Sequence, residues 1–296
     1  CLILDRTLIL LDNNQILIAS IFQSLKTPEL QETNFLRHLV LNTYRMYRSK
    51  FKKQYGDLVI CHDSSNCWRK DLFPEYKANR KEKQKTDGID WKNIYSKLHE
   101  IREEVRGNFP YKNVEVPRTE ADDIISVLCH EYSGKEDIVI VSNDKDFRQL
   151  LKLPNVRQYS PMLKSFVECD DPDAYLFDHI LKGDSSDGVP NILSDSDTFI
   201  RKDKRQKRLT KKIIQVIKEE MGSSSTPPEF CSDNWERNKM IIDLSMIPLD
   251  ITQLIIEAYE TCKFGDRSSM LNYMIDNRLK NLIENLEDFW WGSLRK

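Results

Sequence analysis

The chain has 296 residues, 40% of them hydrophobic and 31% charged, and a formal net charge of −2. That length can bury a substantial core and the composition is that of a globular protein. No apolar run approaches the roughly 18 residues that a membrane-spanning helix needs.

The elements follow in chain order. "TLILL" (7–11) predicts a buried strand with Asp12 directly after it, and residues 33–54 have helical spacing. "DLVIC" (57–61) predicts a second strand, followed by Asp63. Residues 68–85, "WRKDLFPEYKANRKEKQK", are basic, and 64–90 is expected to be mobile without a ligand. A helix over 91–106 leads to a third strand, "VEV" (114–116). Glu120, Asp122 and Asp123 follow, opening the helix "ADDIISVLCHEY" (121–132). A fourth strand, "IVIVS" (138–142), delivers Asp144 and Asp146 at the start of another helix, and "VRQYS" (156–160) reads as a fifth. From about residue 172 the strand signal stops. "AYLFDHILKG" (174–183) is a helix ended by Gly183, and "DSSDG" then carries Asp184 and Asp187. A second basic tract, "RKDKRQKRLTKK" (201–212), has eight Lys/Arg against one acid, a loop covers 222–230, and the remainder reads helical. Strands alternating with helices imply an α/β fold: a mainly parallel twisted sheet flanked by helices, with a helical C-terminal region.

Seven cysteines without a CxxC and five dispersed histidines argue against a zinc site or a disulfide frame. The opening "CLILDRTLILLDNN" lacks the parts of a secretory signal, so a cytoplasmic location is expected, and its lack of a Met leaves room for a start upstream. No GxSxG, Walker A or GxGxxG motif supports serine hydrolysis or nucleotide-driven chemistry.

The carboxylates carry the chemistry. In open α/β sheets, sites form beyond the carboxyl ends of the strands, and four predicted strands each deliver acids there. A single aspartate at such a place is routinely a helix cap, and Thr119 to Asp122 fits a capping box, which would make Asp122 structural and leave Asp123 for the site. All-oxygen donors suit magnesium or manganese, and so many acids suit two ions about 3.5–4 Å apart, an arrangement used for in-line displacement at phosphate.

"LLDNN", "CHDSSNCWRKDLFPEYKANR", "TEADDI", "VSNDKDF" and "KGDSSDGVPN" resemble, in order and spacing, the motifs of the flap-endonuclease or 5′-nuclease family, in particular its bacteriophage branch. The resemblance spans residues 4–190 and implies a PIN-like nuclease core over 1–190 with a basic arch at 64–90. It implies two Mg2+, with Mn2+ able to substitute, and hydrolysis from a 5′ end of flap, branched or nicked duplex DNA and of RNA-DNA hybrids, RNA primers on lagging-strand fragments included. Asp12, Asp63, Asp123 and Asp144 would serve the more catalytic ion, with Glu120 near it and Asp122 the least certain acid. Asp146, Asp184 and Asp187 would serve the second. Arg69, Lys77 and Arg80 match the base of the arch, and Lys70 beside them would bind nucleic acid. Lys77 and Arg80, three apart on one helical face, would grip the scissile phosphate, and Tyr76 would stack on a terminal base.

Two departures stand out. Asn13 occupies a place where many members have glycine, and the usual glycine-rich hairpin is replaced over 191–212 by a glycine-free variant of the helix-turn-helix element. There Lys202, Lys204, Arg205, Lys207 and Arg208 would meet duplex phosphates as simple positive charge. The terminal "FWW" is expected to pack in the core, the alternative being a docking peptide for a sliding clamp or single-strand-binding protein. A monomer is expected. The rival readings are a PIN-type endoribonuclease acting on single-stranded RNA and a non-catalytic nucleic-acid-binding protein on the same fold.

Overall fold

Four residues of β1 (Leu8–Asp12), Leu8 to Leu11, are completely buried, as expected of an apolar run inside a parallel sheet covered on both faces. The structure, a computed structural model, describes residues 7–24, 32–78, 90–224, 226–263 and 265–289. After β1 come α1 (Asn13–Ser24), α2 (Thr33–Phe51), β2 (Asp57–Cys61), the short α3 (Arg69–Leu72), α4 (Trp91–Asn108), β3 (Lys112–Val114), α5 (Ala121–Tyr132) and β4 (Ile138–Val141). A 3-10 helix over Lys145–Lys152 leads to β5 (Val156–Ser160), β6 (Ser165–Val167) and α6 (Pro172–Lys182). The C-terminal region adds α7 (Lys211–Ser224), α8 (Ser232–Ile242), α9 (Leu249–Glu260), α10 (Arg267–Asp276) and α11 (Lys280–Ile283).

The six strands form one sheet in the order β3-β2-β1-β4-β5-β6, parallel throughout except that β6 runs antiparallel to β5. The expected α/β fold with a mainly parallel, helix-flanked sheet is present. β1 sits between β2 and β4, so the chain leaves its carboxyl end at the point where strand order reverses, and a crevice opens there.

Side chains alternate across the sheet. Leu8, Leu10, Val59 and Ile140 pack on one face with Ile124 and Leu128 of α5 and with Trp235, Ile241 and Ile255 of α8 and α9. Ile9, Leu11, Ile60 and Val141 pack on the other with Val40 and Tyr44 of α2 and with Met270, Met274 and Phe289. Residues beyond 211 therefore help cover both faces of the same sheet. Phe289, first of the terminal aromatics, is buried against Phe109; Trp290 and Trp291 lie outside the described residues.

Four expectations change. The third strand is Lys112–Val114, not 114–116, because Thr119 turns back to bond the Val116 carbonyl through both its amide and its hydroxyl. The segment after Asp144 is a 3-10 helix, not an α-helix. α1 was not expected: it continues β1 without a break and has apolar residues on several sides, so no helical stripe stands out. β6 was not expected either, being three residues long.

Candidate active site

The carboxyl ends of β1, β2 and β4 bring the first acids together. Asp12 ends β1; its carboxylate accepts from the Ser142 hydroxyl at 2.8 Å, which ties β1 to the end of β4. Asp63, two residues past β2, accepts from the Asn14 side chain at 2.7 Å and the Ala121 amide at 2.8 Å. Asp144 caps the 3-10 helix by accepting from the Asp146 amide at 2.9 Å, and its carbonyl is held by the buried Gln158 of β5 at 2.6 Å. Asn13, the departure noted above, donates to His62 Nδ1 and accepts from the Tyr44 hydroxyl, while His62 Nε2 donates to Asn113. A glycine could not make this brace, which holds the crevice floor; burial pushes His62 down to about 3, keeping it neutral.

The start of α5 corrects an expectation. The capping box runs from Glu120 to Asp123, not from Thr119 to Asp122. Asp123, fully buried, accepts from the Glu120 amide at 2.9 Å and the Trp68 indole at 3.2 Å and pairs with Arg69 at 2.8 Å. Its carboxylate is taken up by these partners, and it is not among the residues that line the acidic cavity described below. Asp122, one residue earlier and so about 100° round the helix, feels Asp144 and Asp12 instead. The Thr119 hydroxyl is spent on the Val116 carbonyl and is not available as the cap.

The second half of the site is built by α6 and the loop after it. Asp171 caps α6 through the Ala174 amide at 2.9 Å and Pro172 occupies its first turn. Gly183 ends it at φ 68°, where a Cβ would collide with the Val189 and Pro190 carbonyls. The chain then turns so that Asp184, Asp187, Asp146 and Asp122 line one small cavity with Tyr76.

The electrostatics are uneven. Burial, reinforced by Asp63 and Asp144, pushes the Asp12 carboxyl up to about 7; burial and Asp144 do the same to Asp146. Burial and neighbouring acids also raise Asp122 and Asp144. Burial would raise Glu120 too, but Lys77 and Arg69 hold it at about 2. Burial opposes ionisation of Asp184 as well, yet His179, Ser186 and Lys145 keep it well below the usual range. An array of acids that raise one another's pKa is short of positive charge, and the buried Asp146 Oδ1 has no hydrogen bond. Both features fit a site for divalent cations.

Residues 7–175 match the family model described as 5′-3′ exonuclease, N-terminal resolvase-like domain, over more than half of the chain. The chain belongs to the 5′-3′ exonuclease family. Residues 171–289 match the model of the C-terminal part of T4 RNase H. Ribonuclease H of Enterobacteria phage T4 is 30% identical over 291 residues, 95% of each chain. The 5′-3′ exonuclease of Bacillus subtilis is 27% identical over 172 residues, 53% of this chain and 52% of that protein. In fold, the chain is similar to the T5 D15 protein co-crystallised with metal ions, with TM-score 0.63 at 15% identity over 87% of this chain and 100% of that one. It is also similar to the bacteriophage T5 D15 flap endonuclease in a pseudo-enzyme-product complex with DNA and metal ions, with TM-score 0.60 at 17% identity over 86% of this chain and 100% of that one. The chain is thus a hydrolase of the nuclease class.

The residues expected at the base of an arch sit differently from expectation. Arg69 is buried: it pairs with Asp123, lies 3.5 Å from Glu120 and donates to the Ile241 carbonyl at 2.9 Å, pinning α3 to α5 and α8. Tyr76 is also buried, its hydroxyl shared between Glu120 at 2.8 Å and Asp187 at 3.1 Å, so its ring presents no free face for a base. Lys77, at φ 58°, is not in a helix; its ammonium lies 2.6 Å from Glu120 and 3.5 Å from Asp187. Arg80 and residues 79–89 lie outside the described residues; within the described part of 64–90, Cys67, Trp68, Arg69, Phe73 and Tyr76 are buried. Lys70 is exposed, as are Lys202, Arg205, Lys207 and Arg208, whereas Lys204 is paired with Asp195 and Asp197.

Two features of the site were missed in the sequence. His179, in "FDHILKGD", lies between Asp146 and Asp184; its only signal is its position on the helix leading into Asp184. An open groove of about 1290 Å³ also runs from Asp63 past His99, Arg102, Arg106 and Arg118; α4 contributes its basic side chains at helical spacing, which alone reads as ordinary surface. No described helix is long and apolar enough to cross a membrane.

Proposed function

We propose that the chain is a divalent-metal-dependent 5′ to 3′ exonuclease and flap endonuclease acting on DNA duplexes and RNA-DNA hybrids, and that it removes RNA primers from lagging-strand fragments. The observation that carries this is the convergence of acids from the ends of β1, β2 and β4, from α5 and from the loop after α6, with Asp12 and Asp146 pushed up to about 7. Asp12, Asp63, Asp122 and Asp144 would hold one ion, and Asp146, Asp184 and Asp187 the other. Two divalent ions would supply Lewis-acid activation of water and stabilise charge developing at the phosphate.

The chain's own residues do the positioning. Lys77, held between Glu120 and Asp187, would exchange those partners for the scissile phosphate, and Arg80, three positions on in the sequence, would join it there, so that positive charge meets the charge that develops. Glu120, occupied by Lys77, Tyr76 and Arg69, orients that lysine instead of ligating. Exposed Lys70, Lys202, Arg205, Lys207 and Arg208 would meet duplex phosphates, and the groove beside Asp63 would receive a strand by Arg102, Arg106 and Arg118 exchanging their partners Glu115, Glu103 and Asp71 for phosphates.

The test uses a flap duplex labelled at its 5′ end, in magnesium. Cleavage near the junction is expected for wild type, none for Asp144→Asn, and binding with poor cleavage for Asp187→Asn. Binding without cleavage under any divalent ion would overturn the catalytic reading.

A further inference from the structure

One side chain in the cleft does not belong to an all-oxygen site. His179 of α6 is buried at 7% exposure, and its two ring nitrogens face two different carboxylates: Nδ1 lies 3.5 Å from Asp146 Oδ1 and Nε2 lies 3.4 Å from Asp184 Oδ2. Neither nitrogen makes a hydrogen bond, and neither does Asp146 Oδ1. One donor atom from each of Asp146, His179 and Asp184 can be chosen so that all lie within 4.8 Å of one another. Donors about 2.1 Å from an octahedral ion stand about 3 Å from their neighbours, so small rotations of these side chains bring all three onto one ion.

Packing keeps the imidazole there. Tyr175, one turn earlier on α6, has its ring centre 5.7 Å from that of His179, and Gly183 at φ 68° sets the turn that brings Asp184 back toward the helix. Lys145 lies 3.0 Å from Asp184 Oδ2 at 49% exposure, so it can leave toward solvent when an ion arrives. With one ring nitrogen on the ion, the other faces the second aspartate and can donate its N–H there, a common way to fix the tautomer of a metal-bound imidazole.

We propose that the second cation position of this chain is a mixed nitrogen and oxygen site, Asp146–His179–Asp184, that takes a first-row transition ion in preference to magnesium. Magnesium favours oxygen donors, and an imidazole adds affinity for ions from manganese to zinc. This rests on the reading of the cleft as a cation site.

The probe is Mn2+ added to the full chain freed of metals, followed by pulsed electron paramagnetic resonance for 14N modulation, with binding measured by titration against Mg2+. Expected are a 14N signal in wild type, its shift when the protein carries 15N-histidine, and its loss in His179→Gln. That variant should also lose about tenfold in its preference for Mn2+ over Mg2+. The isotope shift needs no mutation, so a poorly folding variant does not spoil the test. His62, bonded on both sides to Asn13 and Asn113, is unchanged in the variant and serves as the internal control. Mn2+ binding without a nitrogen signal, or an unchanged ion preference in a folded His179→Gln, would overturn the proposal and leave the acid-cluster reading standing. Failure of Mn2+ to bind wild type would overturn both.

Discussion

Arg69 and Asp123 form an ion pair at 2.8 Å in which the side chains are 2% and 0% exposed. Trp68 covers the guanidinium at 4.7 Å and donates its indole N–H to the same aspartate, so an arginine and an acid that both resemble functional residues in sequence act here as a structural joint between α3, α5 and α8. Removing one partner of a buried pair strands the other charge and costs about 3–5 kcal/mol. Asp123→Ala is therefore expected to lower the denaturation midpoint strongly, whereas Asp122→Asn should leave stability unchanged or raise it while abolishing cleavage. Chemical denaturation of both variants checks this; equal stability loss in the two would contradict the assignment.

The metal-free protein should lose stability as pH rises through the weakly acidic range. Asp12 and Asp146 titrate near 7 in the fold, against 3.8 for an ordinary aspartate. Between those values the unfolded chain has released protons that the native state retains, so unfolding becomes easier with rising pH. The effect is absent below about 3.8, grows to about 7 and is then complete, amounting to a few kcal/mol. Two groups act oppositely. Glu120, held at about 2, does so only in acid, its stabilisation fading below its unfolded value of 4.5. His62, held neutral down to about 3, costs stability below its unfolded value of 6.5 and offsets part of the fall between pH 5 and 6.5. Thermal melts in a chelator at pH 5 and pH 8 should show the higher midpoint at pH 5, and excess Mg2+ at pH 8 should recover the difference. A flat profile in the chelator would count against the crowded cleft.

Tyr76 offers a sharp contrast between burial and stacking. Its hydroxyl serves Glu120 and Asp187, and the Lys77 ammonium lies 4.8 Å from its ring centre. Tyr76→Phe keeps the ring and removes the donor, so it should cost about 1–3 kcal/mol of stability and slow cleavage through a misplaced Lys77, with flap affinity within about twofold of wild type. Tyr76→Phe with unaltered stability and cleavage would show the hydroxyl to be idle.

The basic tract divides into paired and exposed charges. Lys204 is 2.6 Å from Asp197 and 3.0 Å from Asp195, so Lys204→Ala is expected to change duplex affinity little. Replacing Lys202, Arg205, Lys207 and Arg208 together should weaken binding and flatten its dependence on salt, by about 0.9 in the logarithmic slope for each phosphate no longer neutralised. Measuring affinity across a salt series reports both effects; an unchanged slope would remove the tract from the interface.

The sequence by itself determined the strands that matter and the acids at their ends. An apolar run such as "IVIV" is a local signal, and the residues directly after it emerge at the sheet's carboxyl edge whatever the distant chain does. That is why Asp12, Asp63, Asp144 and Asp146 could be assigned to one crevice; "DSSDG", which follows a helix, was joined to them only as a further pair of acids that could complete a second ion. Tertiary structure alone decided which of two adjacent aspartates faces that crevice, because the choice turns on where α5 begins, and Glu120 took the cap in place of Thr119. It alone buried Arg69 and Tyr76, whose partners lie 44 to 172 positions away along the chain. It alone set His179 between Asp146 and Asp184: a histidine with no pattern around it becomes part of a site only when a helix from elsewhere packs it there.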